Sequence, residues 1–304
     1  SFGTSSLGSM PDTYGYEVSE QRAQETLKRF FQGPVNMLDT SRNYAMGESE
    51  KRIGKAIKEN GGWPENFVLS TKIDRNMDTL VLDKKRTRES IEESLKTLNV
   101  DSVDVLFLHD PEYVKDINDV TKKDGAIDEL FKIKEEGLAK AVGLAMGKVD
   151  IMFPLLKDWD FDVIINHNRY TLLNREANEM YDYASSKNIA IFNAAPYAGG
   201  VLAKGPSNFK KITYQDASEE KLAPAREIEK VCKKYNVEMG AAALQFSMKD
   251  KRITSTICGV TSIQSIEKNL AWANTNIPEE FWNEVLKLPY STKDPESERN
   301  FTPG

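Results

Sequence analysis

The chain reads as a (β/α)8 barrel, a TIM barrel, occupying residues 1–304 as one domain. Three observations point there. Short apolar, β-rich runs alternate with longer amphipathic stretches, and the runs number eight. No G-x-G-x-x-G follows the first run, which disfavours the doubly wound open sheet. Four polar residues of chemically useful types stand at or just past the ends of three consecutive runs, the rim where such a barrel carries its active site.

In chain order the expected strands are 2–7 (FGTSSL), 35–38 (VNML), 67–71 (FVLST), 103–108 (VDVLFL), 139–144 (AKAVGL), 163–165 (VII), 189–192 (IAIF) and 254–257 (TSTI). Between them apolar residues recur at helical spacing, as in Leu27, Phe30 and Phe31, or Ile91, Leu95 and Leu98. No linker divides the chain. The segment 197–222, with its Gly, Pro, Ser and Asn, predicts an extended loop after the seventh strand, and 111–125 another after the fourth. Residues 288–304 are polar and Pro-containing, so they are expected to form a tail of uncertain order.

Hydrophobic residues make up 39% and charged residues 29%, ordinary values for a soluble globule. The net charge of −6 argues against nucleic acid or an anionic membrane as partner. No apolar run approaches the roughly 18 residues needed to span a bilayer. Residues 1–10 lack the charged start and apolar stretch of a signal peptide, and the first residue already borders a strand, so the natural chain is expected to begin earlier. Cys232 and Cys258 match no metal spacing, which predicts no metal site, two buried small apolar side chains and a reduced, cytoplasmic setting.

The chemistry-bearing set is Asp39, Tyr44, Lys72 and His109. A phenol has a pKa of about 10 and needs help to move a proton near neutrality. An ammonium at Lys72 favours the phenolate, a carboxylate at Asp39 keeps that ammonium charged and in place, and a neutral imidazole at His109 orients a substrate oxygen. Singly, each residue has a bland role: a loop cap, a rim aromatic, a solvated charge, a structural hydrogen-bonding group. Together, on three adjacent strand ends, they read as a proton-transfer site.

The stretch Asp39-Thr40-Ser41-Arg42-Asn43-Tyr44, running on to Gly47, Ser49-Glu50 and Ile53-Gly54, resembles the signature of the aldo-keto reductases. Leu69-Ser70-Thr71-Lys72 and Val105-Leu106-Phe107-Leu108-His109 resemble that family's next two motifs. The resemblance implies a nicotinamide cofactor and a catalytic tetrad at Asp39, Tyr44, Lys72 and His109, with Tyr44 as general acid in reduction and base in oxidation. Ala45 stands where many members have glycine. Arg169-Tyr170-Thr171-Leu172-Leu173 and Asn193-Ala194-Ala195-Pro196-Tyr197, with Gly199-Gly200 and 202–205, resemble the D-threo-aldose 1-dehydrogenase branch, which includes L-fucose and L-galactose dehydrogenases. That branch implies oxidation of a sugar's anomeric hydroxyl to a lactone. Pyridoxal dehydrogenases look similar too. The alternatives are an NADPH-dependent aldehyde or ketone reductase and, further off, a nucleotide-binding sensor or channel-type subunit.

Hydride transfer needs a carrier, because no side chain can donate hydride. The segment Gly259-Val260-Thr261-Ser262-Ile263-Gln264-Ser265-Ile266-Glu267-Lys268-Asn269, opening a helix, suits a phosphate or ribose cradle and matches the family's adenosine strip. An ordinary helix cap at Thr261 or Ser262 is the bland alternative. Many NADP-using members carry lysine at the position of Gly259 and arginine at that of Ser265. With only Lys268 left nearby, NAD is the expected cofactor, with NADP as the alternative. The Ser-Asn pair common after strand five is Ala145-Met146 here, and the stacking tyrosine after strand seven is Ala194. The nicotinamide end is therefore assigned to Asn166 or His167 and Asn193, which could hydrogen-bond the carboxamide, and Tyr197, which could cover a face, with Pro196 just before it; Gly3 and Thr4 at the first strand's end match a family position that approaches the cofactor closely. Tyr14, Tyr16, Tyr113 and Trp159 are candidate pocket aromatics for a small sugar or carbonyl substrate.

Overall fold

In the computed structural model, which describes residues 1–299, all eight expected strands form one closed barrel. They are β1 (Phe2–Gly3), β2 (Met37–Asp39), β3 (Val68–Ile73), β4 (Val103–His109), β5 (Ala139–Met146), β6 (Val163–His167), β7 (Ala190–Ala194) and β10 (Ser255–Gly259). The strand order round the barrel is β1-β10-β7-β6-β5-β4-β3-β2. A two-stranded antiparallel hairpin, β8 (Lys211–Ile212) and β9 (Gln215–Asp216), lies inside the segment expected to be plain loop. Its turn residues Thr213 and Tyr214 have φ of 46° and 68°, the left-handed pair that a tight hairpin requires. The first expected strand is cut short because Ser5–Gly8 turns into a 3-10 helix.

By its contacts the described chain divides into two compact units, residues 1–165 with 259–266, and residues 166–258 with 267–299. In the first unit, parallel pairing sets Asp39 beside Ser70 and Lys72 beside Phe107. The apolar residues Leu38, Leu69, Leu106 and Leu108 are fully or almost fully buried. Side chains alternate along a strand, so Ser70, Lys72 and, just beyond the strand, Asp74 share one side of β3. Helices Glu20–Phe31 and Lys84–Leu98 start from Ser19 and Asp83, whose side chains accept the Arg22 and Arg86 backbone N–H groups.

In the second unit the C-terminal segment is ordered as far as residue 299. Ser291 pairs with the loop after β6 through Arg175 N and Leu173 O, at 2.8 and 2.9 Å. The fully buried Arg169 guanidinium binds the Asp294 and Glu296 carboxylates. The expected loose tail is therefore fastened by a buried cation over 291–296, and its last residues, 300–304, lie outside the described residues. Among the described residues no helix is long and apolar enough to cross a membrane. Nor do three or more His, Cys, Asp or Glu groups gather to hold a metal ion. Both thiols are buried and unpaired.

Gly143 of β5 has no room for a side chain, because a Cβ there would lie 1.8 Å from the Val163 carbonyl oxygen at the start of β6. Gly143→Ala is expected to destabilise the protein by about 3 kcal/mol through overpacking between adjacent strands. Urea denaturation checks this, and an unchanged midpoint would contradict it.

Candidate active site

The tetrad expected from sequence assembles within the first unit. Asp39 ends β2, Lys72 lies in β3 rather than beyond it, His109 ends β4, and Tyr44 opens a short turn, Tyr44–Gly47, after β2. Lys72 is 2% exposed, and its ammonium donates to Asp39 Oδ2 at 2.7 Å, the Thr40 carbonyl at 2.6 Å and the Tyr44 hydroxyl at 3.0 Å. Asp39 Oδ1 accepts from Ser70 at 2.8 Å. The Tyr44 and His109 rings meet edge to face at 5.7 Å.

The turn carrying Tyr44 runs through left-handed backbone at Ala45 (φ 52°) and Met46 (φ 55°). That conformation suits glycine, so the alanine found here holds a strained position. Space for its methyl comes from Gly8, where a Cβ would stand 2.5 Å from that of Ala45. Gly47 precedes the helix Glu48–Glu59, and Ser49 on that helix donates to the Thr4 carbonyl at 3.0 Å. Beneath lies Glu50, fully buried, accepting from Thr71 at 2.6 Å, with its carboxyl raised by burial to about 7.

Sequence reasoning missed Asp74. This buried carboxylate binds His109 Nδ1 at 2.6 Å, the Asn43 N–H at 2.9 Å and the Ser41 hydroxyl. The period-two repeat Ser70, Lys72, Asp74 was the available signal. Burial disfavours the imidazolium of His109, but Asp110 and Asp74 outweigh it and raise the pKa above 6.5. Burial likewise works against the Asp74 carboxylate, and His109 outweighs it, leaving the pKa low. The neutral imidazole expected at His109 thus gives way to one biased toward its charged form.

The phenol also departs from expectation. Burial, followed by Asp39, Tyr14, Asp110 and Asp74, holds the Tyr44 pKa well above 10. A hydrogen bond from Lys72 favours the phenolate, yet the net direction is upward. At neutral pH Tyr44 is protonated and able to donate.

In the same unit, Gly3 and Thr4 follow β1. Thr4 is fully buried and its hydroxyl donates to the Asp39 carbonyl at 2.9 Å. Along the strip after β10, a Cβ at Gly259 would meet nothing within 4 Å, so the backbone there is open to a ligand, whereas Val260 is buried. Ser262 caps the following helix by accepting the Ser265 N–H at 3.1 Å. The Ser265 hydroxyl returns to the Ser262 and Thr261 N–H groups at 3.0 and 2.9 Å. The ordinary cap is therefore real, and it holds amides that an anion could take over. Arg22, from the helix Glu20–Phe31, donates to the Thr261 hydroxyl at 3.3 Å. Arg22 is thus a cation at the strip that lies far from it in sequence. Trp159, four residues before β6, sits at the strand-entry side, opposite the site, because the preceding helix Val149–Asp158 has carried the chain back.

The second unit holds the remaining candidates. At β6 the fully buried residue is Asn166, while His167 is part-exposed and 3.5 Å from Glu296. Asn193 is buried and its amide is committed to Tyr181, the Tyr170 carbonyl and Ser247, at 3.0, 2.9 and 2.8 Å, the bonding of a core residue. Ala194 ends β7 and Pro196 is buried just beyond. Tyr197 packs on Trp272 at 5.5 Å and donates to Asn269. The Lys268 ammonium lies 4.7 Å from the Trp272 ring.

Asp39, Tyr44, Lys72 and His109, gathered at one rim, form an arrangement that could hand on a proton. The aldo/keto reductase family model matches residues 1–288, and the chain belongs to that family, whose members use nicotinamide cofactors. It is 30% identical to an L-galactose dehydrogenase of Arabidopsis thaliana, covering 89% of this chain and 82% of that protein. It is 27% identical to a D-threo-aldose 1-dehydrogenase of a Pseudomonas species, covering 89% and 88%. The solved aldo-keto reductase AKR11C1 of Bacillus halodurans, in its holo form, superposes with a TM-score of 0.76 at 20% identity, covering 98% and 94% of the two chains.

The sign of the His109–Asp74 linkage is fixed by the two directions. The raised histidine contributes stability that is fully present below its unfolded pKa and is lost as pH climbs through the folded one. The depressed aspartate contributes above its unfolded pKa and loses this as pH falls through the folded one. The pair therefore stabilises fully between the ordinary pKa of an aspartate and that of a histidine, and fades toward Asp74's lowered pKa on the acid side and His109's raised one on the alkaline side. Asp74→Asn should shift the His109 titration downward and flatten the fall in stability on its alkaline side. With only 2 histidines in the chain, an NMR titration resolves this, and an unmoved His109 would contradict it.

Proposed function

We propose that the protein oxidises the anomeric hydroxyl of an aldose to a lactone, preferring NAD and accepting NADP, with Asp39, Tyr44, Lys72 and His109 as the reacting set. The carrying observation is the buried Lys72 ammonium bound to both Asp39 and the Tyr44 hydroxyl. The likeness to two sugar dehydrogenases supports the substrate class. In this reading the C1 hydride leaves with its electron pair and the hydroxyl proton passes to Tyr44 or solvent, closing the C=O bond. A bound oxidised nicotinamide supplies the hydride acceptor and a positive charge. His109 orients the substrate oxygen, while Lys72 and that added charge favour the phenolate that burial opposes. Gly259, Thr261 and the Ser262–Ser265 cap fit the phosphate and ribose half, and Gly3, Thr4, Asn166 and His167 remain the proposed contacts toward the nicotinamide. A soluble cytoplasmic setting belongs to the same reading.

Reduction of aldehydes or ketones with NADPH is the second reading. Two observations favour it: the protonated Tyr44 phenol, and the Arg22 guanidinium beside Thr261.

Nicotinamide absorbance with L-galactose, L-fucose or D-arabinose and each cofactor separates these. Oxidation should climb with pH into the alkaline range, because the phenol must lose its proton. Tyr44→Phe should lower turnover by about a hundredfold to ten-thousandfold. Cofactor binding without turnover of any substrate would leave a nucleotide-binding barrel instead.

For the cofactor, fluorescence titration of NADPH against NADH is decisive. Arg22→Ala should weaken NADPH by about tenfold, the worth of one charge-assisted hydrogen bond, and leave NADH little changed. Equal effects on both would remove Arg22 from 2′-phosphate recognition.

A further inference from the structure

Asp110 follows His109 directly and has no place in the tetrad. Its backbone is left-handed, with φ 45° and ψ 50°. Aspartate tolerates that conformation better than most residues, yet it is uncommon and gathers at functional sites. The residue is pinned from several sides. Its N–H donates to the Ala145 carbonyl at 2.9 Å, and its own carbonyl accepts from Tyr113 N–H at 3.1 Å. Two residues on, Glu112 Oε1 accepts the Gly147 and Lys148 N–H groups at 2.9 and 3.3 Å, tying this loop to the end of β5.

The carboxylate so placed is only 18% exposed and stands 3.7 Å from His109 Nε2, too far for a direct hydrogen bond. Among the described residues no cation other than His109 lies within ion-pair distance of it. A rigid carboxylate therefore faces the reacting side of the imidazole with its acceptor capacity unspent.

We infer that Asp110 is the residue that selects a neutral polyhydroxylated substrate, accepting hydrogen bonds from hydroxyls on the carbons next to the oxidised one. The inference rests on the proposed aldose oxidation and deepens it. The substrate oxygen must reach both Tyr44 Oη and His109 Nε2 for proton transfer. Hydroxyls one or two carbons away then fall toward Asp110. A carboxylate there accepts from hydroxyls strongly and repels substrates bearing their own carboxylate or phosphate. Neighbouring charges leave it free to accept: Lys72 is spent on Asp39, Thr40 and Tyr44, and the Asp74 carboxylate is on the far nitrogen of His109.

The test compares three substrates in the intact enzyme with saturating cofactor: the best neutral aldose, the simple lactol 2-hydroxytetrahydropyran, and the uronic acid of the same sugar. Asp110→Asn and Asp110→Gly both suit the left-handed backbone, so both should fold. The expected result is a fall of about tenfold to a hundredfold in kcat/KM for the aldose, mostly in KM. The lactol, lacking neighbouring hydroxyls, should lose only what comes through Asp110's charge on His109 and Tyr44, clearly less than the aldose loses, and the uronate-to-aldose ratio should rise in Asp110→Asn. Equal losses on aldose and lactol overturn the inference, because Asp110 would then act through His109. An unchanged aldose KM overturns it as well. If the wild type oxidises neither aldose nor lactol, the aldose reading itself fails and takes this inference with it.

Discussion

The buried ammonium of Lys72 is the constraint around which the first unit is arranged. Taking a charge out of water costs several kcal/mol even after relaxation, so it must be met by close acceptors. Lys72 has three N–H donors and finds three acceptors: a carboxylate from the end of β2, a backbone carbonyl one residue later, and a phenol from the following turn. Each acceptor comes from one continuous stretch, 39–44, which must therefore lie over β3 at this one register. The pairing of Asp39 with Ser70 sets the stretch there, and the Ser70 hydroxyl satisfies the second carboxylate oxygen. The interaction that makes a lysine tolerable inside the barrel is also the one that brings a proton-carrying hydroxyl to the rim.

The charges around that hydroxyl are mostly negative. Asp39, Asp74 and Asp110 all push the phenol toward its neutral form, and the last two also hold a proton on His109. Both effects favour the protonated forms, a bias suited to giving a proton to a carbonyl oxygen. For the reverse reaction a positive charge must enter to offset the carboxylates. In the proposed function a bound oxidised nicotinamide would supply such a charge and a reduced one would not, and Tyr44 and His109 would feel that difference through ordinary Coulomb interactions.

The barrel and the tetrad were legible because they rest on local signals: apolar runs of strand length, and polar residues placed where those runs end. What stayed hidden has specific causes. Asp74 lies beyond the third strand expected over 67–71, and nothing in a single aspartate announces a histidine 35 residues later; only the alternation from Ser70 through Lys72 hinted at it. Arg22 reaches Thr261 across 239 residues, a contact that no spacing argument yields, and it revises the view that only Lys268 is left near that strip. Arg169 served in sequence only as part of a subgroup motif. Its partners Asp294 and Glu296 lie in the polar segment read as a loose tail, and polarity alone cannot tell a solvated end from one fastened to a buried guanidinium. Asn193 was assigned to the cofactor by position, but strand alternation does not reveal that its amide is used up in the core.

Backbone strain flanks the reacting groups on both sides. Ala45 and Met46 follow Tyr44 and Asp110 follows His109, all in left-handed conformations. For alanine or methionine this costs roughly 1–2 kcal/mol per residue, so surrounding contacts must over-determine it. For the tyrosine turn those contacts are visible: the Met46 N–H closes on the Asn43 carbonyl at 3.0 Å, the Asn43 N–H is held by Asp74 at 2.9 Å, and the Ala45 methyl fits only because position 8 is glycine. Asp74 therefore grips both the imidazole and the root of the tyrosine turn, and one carboxylate keeps the two proton-bearing groups at a fixed separation. The 3-10 turn after β1 touches neither Tyr44 nor Lys72 through a polar group, but its Gly8 leaves the room that the Ala45 methyl takes in the residue next to Tyr44.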